Sequence, residues 1–163
     1  MKKLIFVRHA RAEDPTTGIT DFDRSLTTKG KVISQQMARR FREKENNPGL
    51  MITSPAFRAI ETAFIFANEF GIKLDSVKIN SNLYFRATIK NLFEILAQVD
   101  DSIDTITLFG HNPAFTEMPD RLSKSGCEFL TKTSIVCLSF QTKSWSGVKL
   151  DEGKQEYFLK PEK

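Results

Sequence analysis

The sequence predicts a three-layer α/β fold: a doubly wound, mostly parallel sheet with an antiparallel edge. Three observations predict it. Strand signals alternate with helix signals along most of the chain, which is the βαβαβ order of a doubly wound sheet. Two short apolar runs, Lys3–Val7 and Ile106–Gly110, each lead directly to a histidine, as buried parallel strands leading to a ligand crevice would. The last thirty residues or so abandon the helix period and alternate in pairs of short runs, which reads as antiparallel pairing.

In order, the first strand is expected over about Lys3–Val7, followed by a polar loop from Ala10 to Leu26. Thr27 is placed to cap a helix running to about Glu45, with Ile33, Met37 and Phe41 on its inner stripe. Asn46-Asn47-Pro48-Gly49 stops that helix, and a short strand Leu50–Thr53 follows. Ser54-Pro55 reads as an N-cap plus a first-turn proline, opening a helix whose apolar face is Phe57, Ile60, Phe64 and Ala67 and whose stop is Gly71. A strand near Ser76–Ile79 and a helix marked by Ile89, Leu92, Phe93 and Leu96 precede the strand that ends at Gly110. Asn112-Pro113 repeats the cap-plus-proline signature, with Phe115, Met118 and Leu122 inward and Pro119 expected to kink or end the helix. Ser134–Phe140 alternates, Trp145-Ser146-Gly147 reads as a turn, and Gln155–Leu159 pairs back.

Composition bounds the function. The 163 residues form one expected domain, 1–163, long enough to bury about two thirds of the unfolded surface. Fourteen phenylalanines point to a phenylalanine-rich core. The net charge of +4 is spread among acids, as in Arg39-Arg40-Phe41-Arg42-Glu43-Lys44-Glu45, read here as a solvated helix face. That pattern argues against a nucleic-acid partner, whose basic footprint would cluster on one face. No apolar run is long enough to cross a membrane, and the N-terminus lacks the long apolar segment of a signal peptide, so a cytoplasmic protein is expected. Cys127 and Cys137 have no metal-ligand spacing, and Cys137 reads as a small core residue.

The polar residues then converge. Arg8 and His9 leave the first strand, Ser54 leaves the second, Arg58 sits in the first turn of the next helix, and His111 and Asn112 leave a later strand. Parallel strands would bring all of them to one sheet edge, beside two helix N-termini with free N–H groups. Two arginines, two imidazoles and two helix mouths suit a dianion, and phosphate matches the guanidinium fork. A neutral imidazole can attack phosphorus and become a phosphohistidine that water later cleaves. A second imidazole, protonated, can bind the equatorial oxygens. No cofactor and no metal are required by this chemistry.

Arg8-His9-Ala10 resembles the RHG/RHA signature of the histidine phosphatase superfamily, whose fold is phosphoglycerate-mutase-like. Further segments resemble its short bacterial branch, the SixA-type phosphohistidine phosphatases: Asp21–Gly30, Ser54–Ala63, Gly110-His111-Asn112-Pro113 and the Thr133-Ser134 strand start. They occur in the family's order and span nearly the whole chain. The resemblance implies His9 as nucleophile, Arg8 and Arg58 as the phosphate clamp, and His111 as the second histidine of the phosphate pocket. Ala10 stands where the family usually has glycine, a frequent variant in the short branch. Larger members carry an acid between the third strand and the next helix, and Asn80–Thr88 contains no carboxylate. A substitute acid would come from Glu13, Asp14, Asp21 or Asp23, or from none of them. A phosphoramidate leaves more readily than an alkoxide, and the short 80–88 segment predicts an open site, so both features favour phosphohistidine on a protein as substrate.

The expectation is a metal-independent phosphatase acting through phospho-His9, with a phosphorylated protein or a small phosphate ester as partner. The alternatives are a small-molecule phosphomonoesterase and a catalytically silent phosphoprotein-binding module. A mutase would need a closed pocket and a positioned acid, and neither is legible.

Overall fold

The computed structural model describes residues 1–162. Ten regular elements follow in chain order: β1 (Lys2–Arg8), α1 (Thr28–Lys44), β2 (Leu50–Thr53), α2 (Phe57–Glu69), β3 (Lys78–Ile79), α3 (Ile89–Leu96), β4 (Thr105–Gly110), α4 (Ala114–Leu122), β5 (Ile135–Phe140) and β6 (Lys154–Leu159). The strands form one six-stranded sheet in the order β3-β2-β4-β1-β5-β6. β1 to β4 run parallel, while β5 is antiparallel to β1 and β6 antiparallel to β5, so the antiparallel edge is as expected.

Because side chains alternate along a strand, β1 feeds both layers. Leu4 and Phe6 join the core beneath α3 and α4, and Ile5 and Val7 join the core beneath α1 and α2. The phenylalanines interlock edge to face: Phe6 with Phe115 at 5.4 Å, and Phe66 with Phe109 at 5.4 Å. Each such pair contributes about 0.5–1.5 kcal/mol beyond the area it buries. Three phenylalanines do not follow the pattern: Phe57, Phe85 and Phe129 are exposed.

The elements mostly fall where the sequence places them, and the departures have local causes. Thr27 does cap α1, accepting the Gly30 N–H at 2.9 Å. Ser54 is not the cap of α2. That helix starts later, with Ala56 at the cap position, and its buried stripe is Ala59, Ala63, Phe66 and Ala67 rather than the predicted Phe57-Ile60-Phe64 line. Packing against α1, β2 and β4 decides which face is buried. Likewise α4 begins at Ala114 with Pro113 at the cap position, so Asn112 is free for another task. Pro119 does not end α4, which continues to Leu122 with Pro119 itself buried. β5 is buried along its whole length, since it lies inside the sheet rather than at its edge. Glu45, predicted on a solvated face, is buried and accepts from Lys3 Nζ and from the Tyr157 hydroxyl at 3.0 Å.

Gly71 and Gly110 are among the glycines that geometry requires. Gly71 adopts φ +67° just past α2, the left-handed stop expected there. A Cβ at Gly110 would sit 2.4 Å from the Phe115 ring, so only glycine lets β4 close against α4 just before His111.

Candidate active site

Parallel β1, β2 and β4 end at the same edge, and each hands one polar residue to it. His9 follows β1 and is fixed by its own backbone, its N–H donating to the Gly110 carbonyl at 3.0 Å. Its ring Nδ1 lies 2.7 Å from the Ala10 carbonyl. A carbonyl can only accept, so Nδ1 carries the hydrogen and Nε2 carries the lone pair. The methyl of Ala10 is fully buried, so the site accommodates Ala where glycine is usual. Ala10 N–H donates to Thr62 Oγ1 at 3.1 Å, and that hydroxyl donates to the Arg58 carbonyl at 2.7 Å. One threonine thus locks the turn after β1 onto α2.

His111 stands across from His9, ring centroids 5.0 Å apart. Its Nε2 lies 2.7 Å from Ser54 Oγ, and its buried Nδ1 has no hydrogen-bond partner among the described residues. Arg8 Nε and Arg58 Nε are likewise buried and unpartnered. Buried polar atoms without partners are uncommon in folded proteins. All three belong to residues lining one cavity of about 520 Å³, together with His9.

The arginines are held by their remaining nitrogens. Arg8 Nη1 donates to the Leu130 carbonyl at 3.0 Å, and its guanidinium stands 5.7 Å from the exposed Phe129 ring. Arg58, only 6% exposed, donates from Nη1 to the Asp21 carbonyl at 2.7 Å and from Nη2 to the Asp21 carboxylate at 3.0 Å. The end of its fork therefore grips Asp21, while the Nε side stays free. Asp21 also takes Arg24, at 2.8 Å, and the Tyr84 hydroxyl, at 3.1 Å.

These surroundings set the charge states. Burial, and then the charge of His111, push His9 down to about 3; burial, and then the charge of Arg58, push His111 down to about 3. Both imidazoles are neutral at pH 7 in this arrangement, so the second histidine is not the imidazolium expected from the sequence. The main cause is burial, and the neighbouring positive charge adds to it. Asp21 is raised by burial, but the hydrogen bond from Arg24 and the charge of Arg58 outweigh that and hold it below the usual carboxylate range.

The predicted residues thus divide. His9, His111, Arg8, Arg58, Ser54 and Asn112 come together; Asn112 donates to the same Leu130 carbonyl that Arg8 uses, at 2.9 Å. Asp21 joins them through Arg58. Asp14 lines the cavity, but Glu13 does not, and the Asp23 carboxylate is occupied by the Thr20 hydroxyl. Sequence reasoning missed Thr62, Tyr84, Arg11, Lys132 and the Leu130 carbonyl. Thr62 lies one helical turn from Arg58, a spacing that could have found it; a backbone carbonyl leaves no sequence signal.

Comparison with known proteins agrees with this picture. No curated protein matches the sequence. A solved structure described as phosphohistidine phosphatase SixA from Agrobacterium tumefaciens superposes with a TM-score of 0.79 at 20% identity, covering 98% of each chain. The protein histidine phosphatase SixA complexed with tungstate gives 0.80 at 18% identity, covering 98% of this chain and 97% of its own. Mycobacterial glucosyl-3-phosphoglycerate phosphatase complexed with VO3 gives 0.70 at 12% identity, covering 96% and 98%. The phosphoglycerate-mutase-like architecture expected from the sequence is the one observed. The sequence model described as "Histidine phosphatase superfamily (branch 1)" matches residues 4–83, the stretch that carries His9, Asp21 and Arg58. Over residues 4–83 the chain is thus similar to the histidine phosphatase superfamily, and over nearly its whole length it shares the fold of the SixA structures.

Proposed function

We propose that this protein is a metal-independent phosphatase that transfers a phosphoryl group to His9 Nε2, and that its substrate is phosphohistidine on a protein. The observation that carries the reading is the His9 Nδ1 contact with the Ala10 carbonyl at 2.7 Å. It commits the ring to the tautomer whose Nε2 lone pair is free, in a cavity walled by Arg8, Arg58 and His111. Burial keeps that ring neutral, so it is a competent nucleophile at pH 7.

In the first step, His9 Nε2 bonds to phosphorus as the bond to the leaving nitrogen or oxygen breaks. Arg8 Nε, Arg58 Nε and His111 Nδ1 donate to the phosphoryl oxygens, where charge is spread in the transition state. Ser54 Oγ accepts the Ala56 N–H at 3.3 Å, and its own proton directed at His111 Nε2 leaves the ring hydrogen on Nδ1, facing the anion. In the second step, water attacks phospho-His9, phosphate leaves, and the neutral ring is restored. Two guanidiniums supply the charge neutralisation for which other phosphatases use a metal.

Two features favour a protein substrate. No carboxylate lies between Asn80 and Thr88, which suits a leaving group that departs as imidazole. The segment is also short: five residues separate the turn at Ser81–Leu83 from α3, and Tyr84–Ala87 line a pocket beside His111 and Arg58. The names of the SixA neighbours point the same way, and the free cysteines suit the cytoplasm. The test is to trap acid-labile, base-stable phosphate on the enzyme during turnover. Wild type is expected to carry it and His9→Ala to lose both label and turnover with its fold intact. Equal labelling of the two would overturn the assignment.

A further inference from the structure

Beside the phosphate-binding groups, the same cavity is lined by Arg11 and Lys132, which no step above uses. Neither side chain forms an ion pair or a hydrogen bond among the described residues. Every other cation on this wall is engaged: Arg24 and Arg58 by Asp21, and Arg8 by the Leu130 carbonyl. Asp14 is the one carboxylate lining this cavity, against five cations: Arg8, Arg11, Arg24, Arg58 and Lys132. One phosphate dianion answers at most two of them. At about 520 Å³ the cavity is also several times larger than a phosphate group, whose volume is on the order of two waters of about 30 Å³ each.

We propose that Arg11 and Lys132 form a second anion subsite, and that the substrate carries a second negative group, a carboxylate, close to the phosphoryl group. This deepens the phosphatase reading and rests on it. The Lys132 ammonium gives independent support: it is destabilised first by burial and then by the charges of Arg8, Arg11 and Arg24, with Asp14 opposing. Three guanidiniums crowd one ammonium, and the fold tolerates repulsion that an anionic ligand would relieve. Both residues are exposed, so nothing in the core requires their charges. On a phosphoprotein, the simplest source of the carboxylate is an aspartate or glutamate next to the phosphorylated histidine. In a small ester it would be a carboxylate of the same molecule.

The test needs no turnover. Methylphosphonate, ethylphosphonate and propylphosphonate are compared by calorimetry with phosphonoacetate, 3-phosphonopropionate and 4-phosphonobutyrate, which add a carboxylate at increasing reach. At least one diacid is expected to bind wild type tenfold or more tighter than its monoacid counterpart. The Arg11→Ser/Lys132→Ser double variant is expected to lose that advantage while binding the monoacids as wild type does. Equal binding of monoacids and diacids by wild type, or an advantage that survives the double substitution, would overturn the inference while leaving the phosphatase reading intact. No binding of any phosphonate would overturn both. The source is read from kcat/KM on phosphohistidine peptides with Asp or Asn beside the histidine. A tenfold preference for Asp, abolished in the double variant, identifies a protein carboxylate. No Asp preference in a wild type that favours the diacids assigns the subsite to a small ester.

Discussion

His111 Nε2 lies 2.7 Å from Ser54 Oγ, so a residue after β4 and a residue after β2 meet through one hydrogen bond at the mouth of the cavity. Sequence reading offered Ser54 as a helix cap; its contact is instead with a histidine 57 positions away. Removing it leaves a buried ring nitrogen unpaired and lets the ring turn. Ser54→Ala should lower kcat/KM for an aryl phosphate about five- to tenfold, the effect of roughly one hydrogen bond at about 1 kcal/mol. His111→Asn should cost more, and adding Ser54→Ala to it should cost nothing further. A double variant whose losses simply add would mean that Ser54 does not act through His111.

Arg58 holds Asp21 with the end of its fork and keeps Nε free. A lysine ammonium is a single point and cannot serve both sides. Arg58→Lys should reduce kcat/KM by tenfold or more, about 1.4 kcal/mol or above, and weaken phosphate inhibition alongside it. Kinetics close to wild type would show that the buried guanidinium only anchors the Asp21 loop.

The leaving group gives a third prediction. Asp21 is tied to the site through Arg58, yet Arg24 and Arg58 hold it ionised, which makes it a poor proton donor. Rates should therefore depend steeply on leaving-group pKa, with phosphohistidine and aryl phosphates turned over well and alkyl phosphates poorly. Asp21→Asn should loosen Arg58 and slow good and poor leaving groups to a similar degree. A selective loss on alkyl phosphates would identify Asp21 as the acid after all.

Stability should follow the two imidazoles. Both sit at about 3 in the folded chain against 6.5 when exposed, so the unfolded chain binds the extra protons as pH drops. Their contribution is complete above pH 6.5 and is lost as pH falls toward 3. At pH 5 the loss is on the order of 2 kcal/mol per imidazole. Urea midpoints at pH 7 and pH 5 should show it, and a His9→Asn/His111→Asn variant should lose clearly less over the same interval. Bound sulfate, a fixed dianion, should flatten the dependence in wild type alone. Identical losses in wild type and variant would place the titration elsewhere.

The path from sequence to site was legible where backbone periodicity decides it. The strand ends at Arg8, Thr53 and Gly110 follow from apolar runs and turn residues, and they alone gather His9, Ser54 and His111. Helix starts were less legible. Ser-Pro and Asn-Pro each predict a cap, but tertiary contacts take Ser54 to His111 and Asn112 to the Leu130 carbonyl, so both helices begin later. Charge was least legible. A protonated second histidine is reasonable from composition, whereas burial beside Arg58 makes it neutral. Glu45 looks solvated in a run of charges and is instead buried against Lys3 and Tyr157 from distant strands.

The Leu130 carbonyl accepts from both Arg8 and Asn112, and the Arg8 backbone pairs with Ser134 and Thr133. These partners lie well beyond the last histidine in the chain, and β1, which leads into His9, is completed on one side only by β5. A chain emerging from the ribosome therefore displays both histidines and both arginines well before the segment that aligns them. The cluster cannot assemble until the final third has been synthesised and has docked. Timing is built into the order of the strands: the first strand made waits at the centre of the sheet for one of the last.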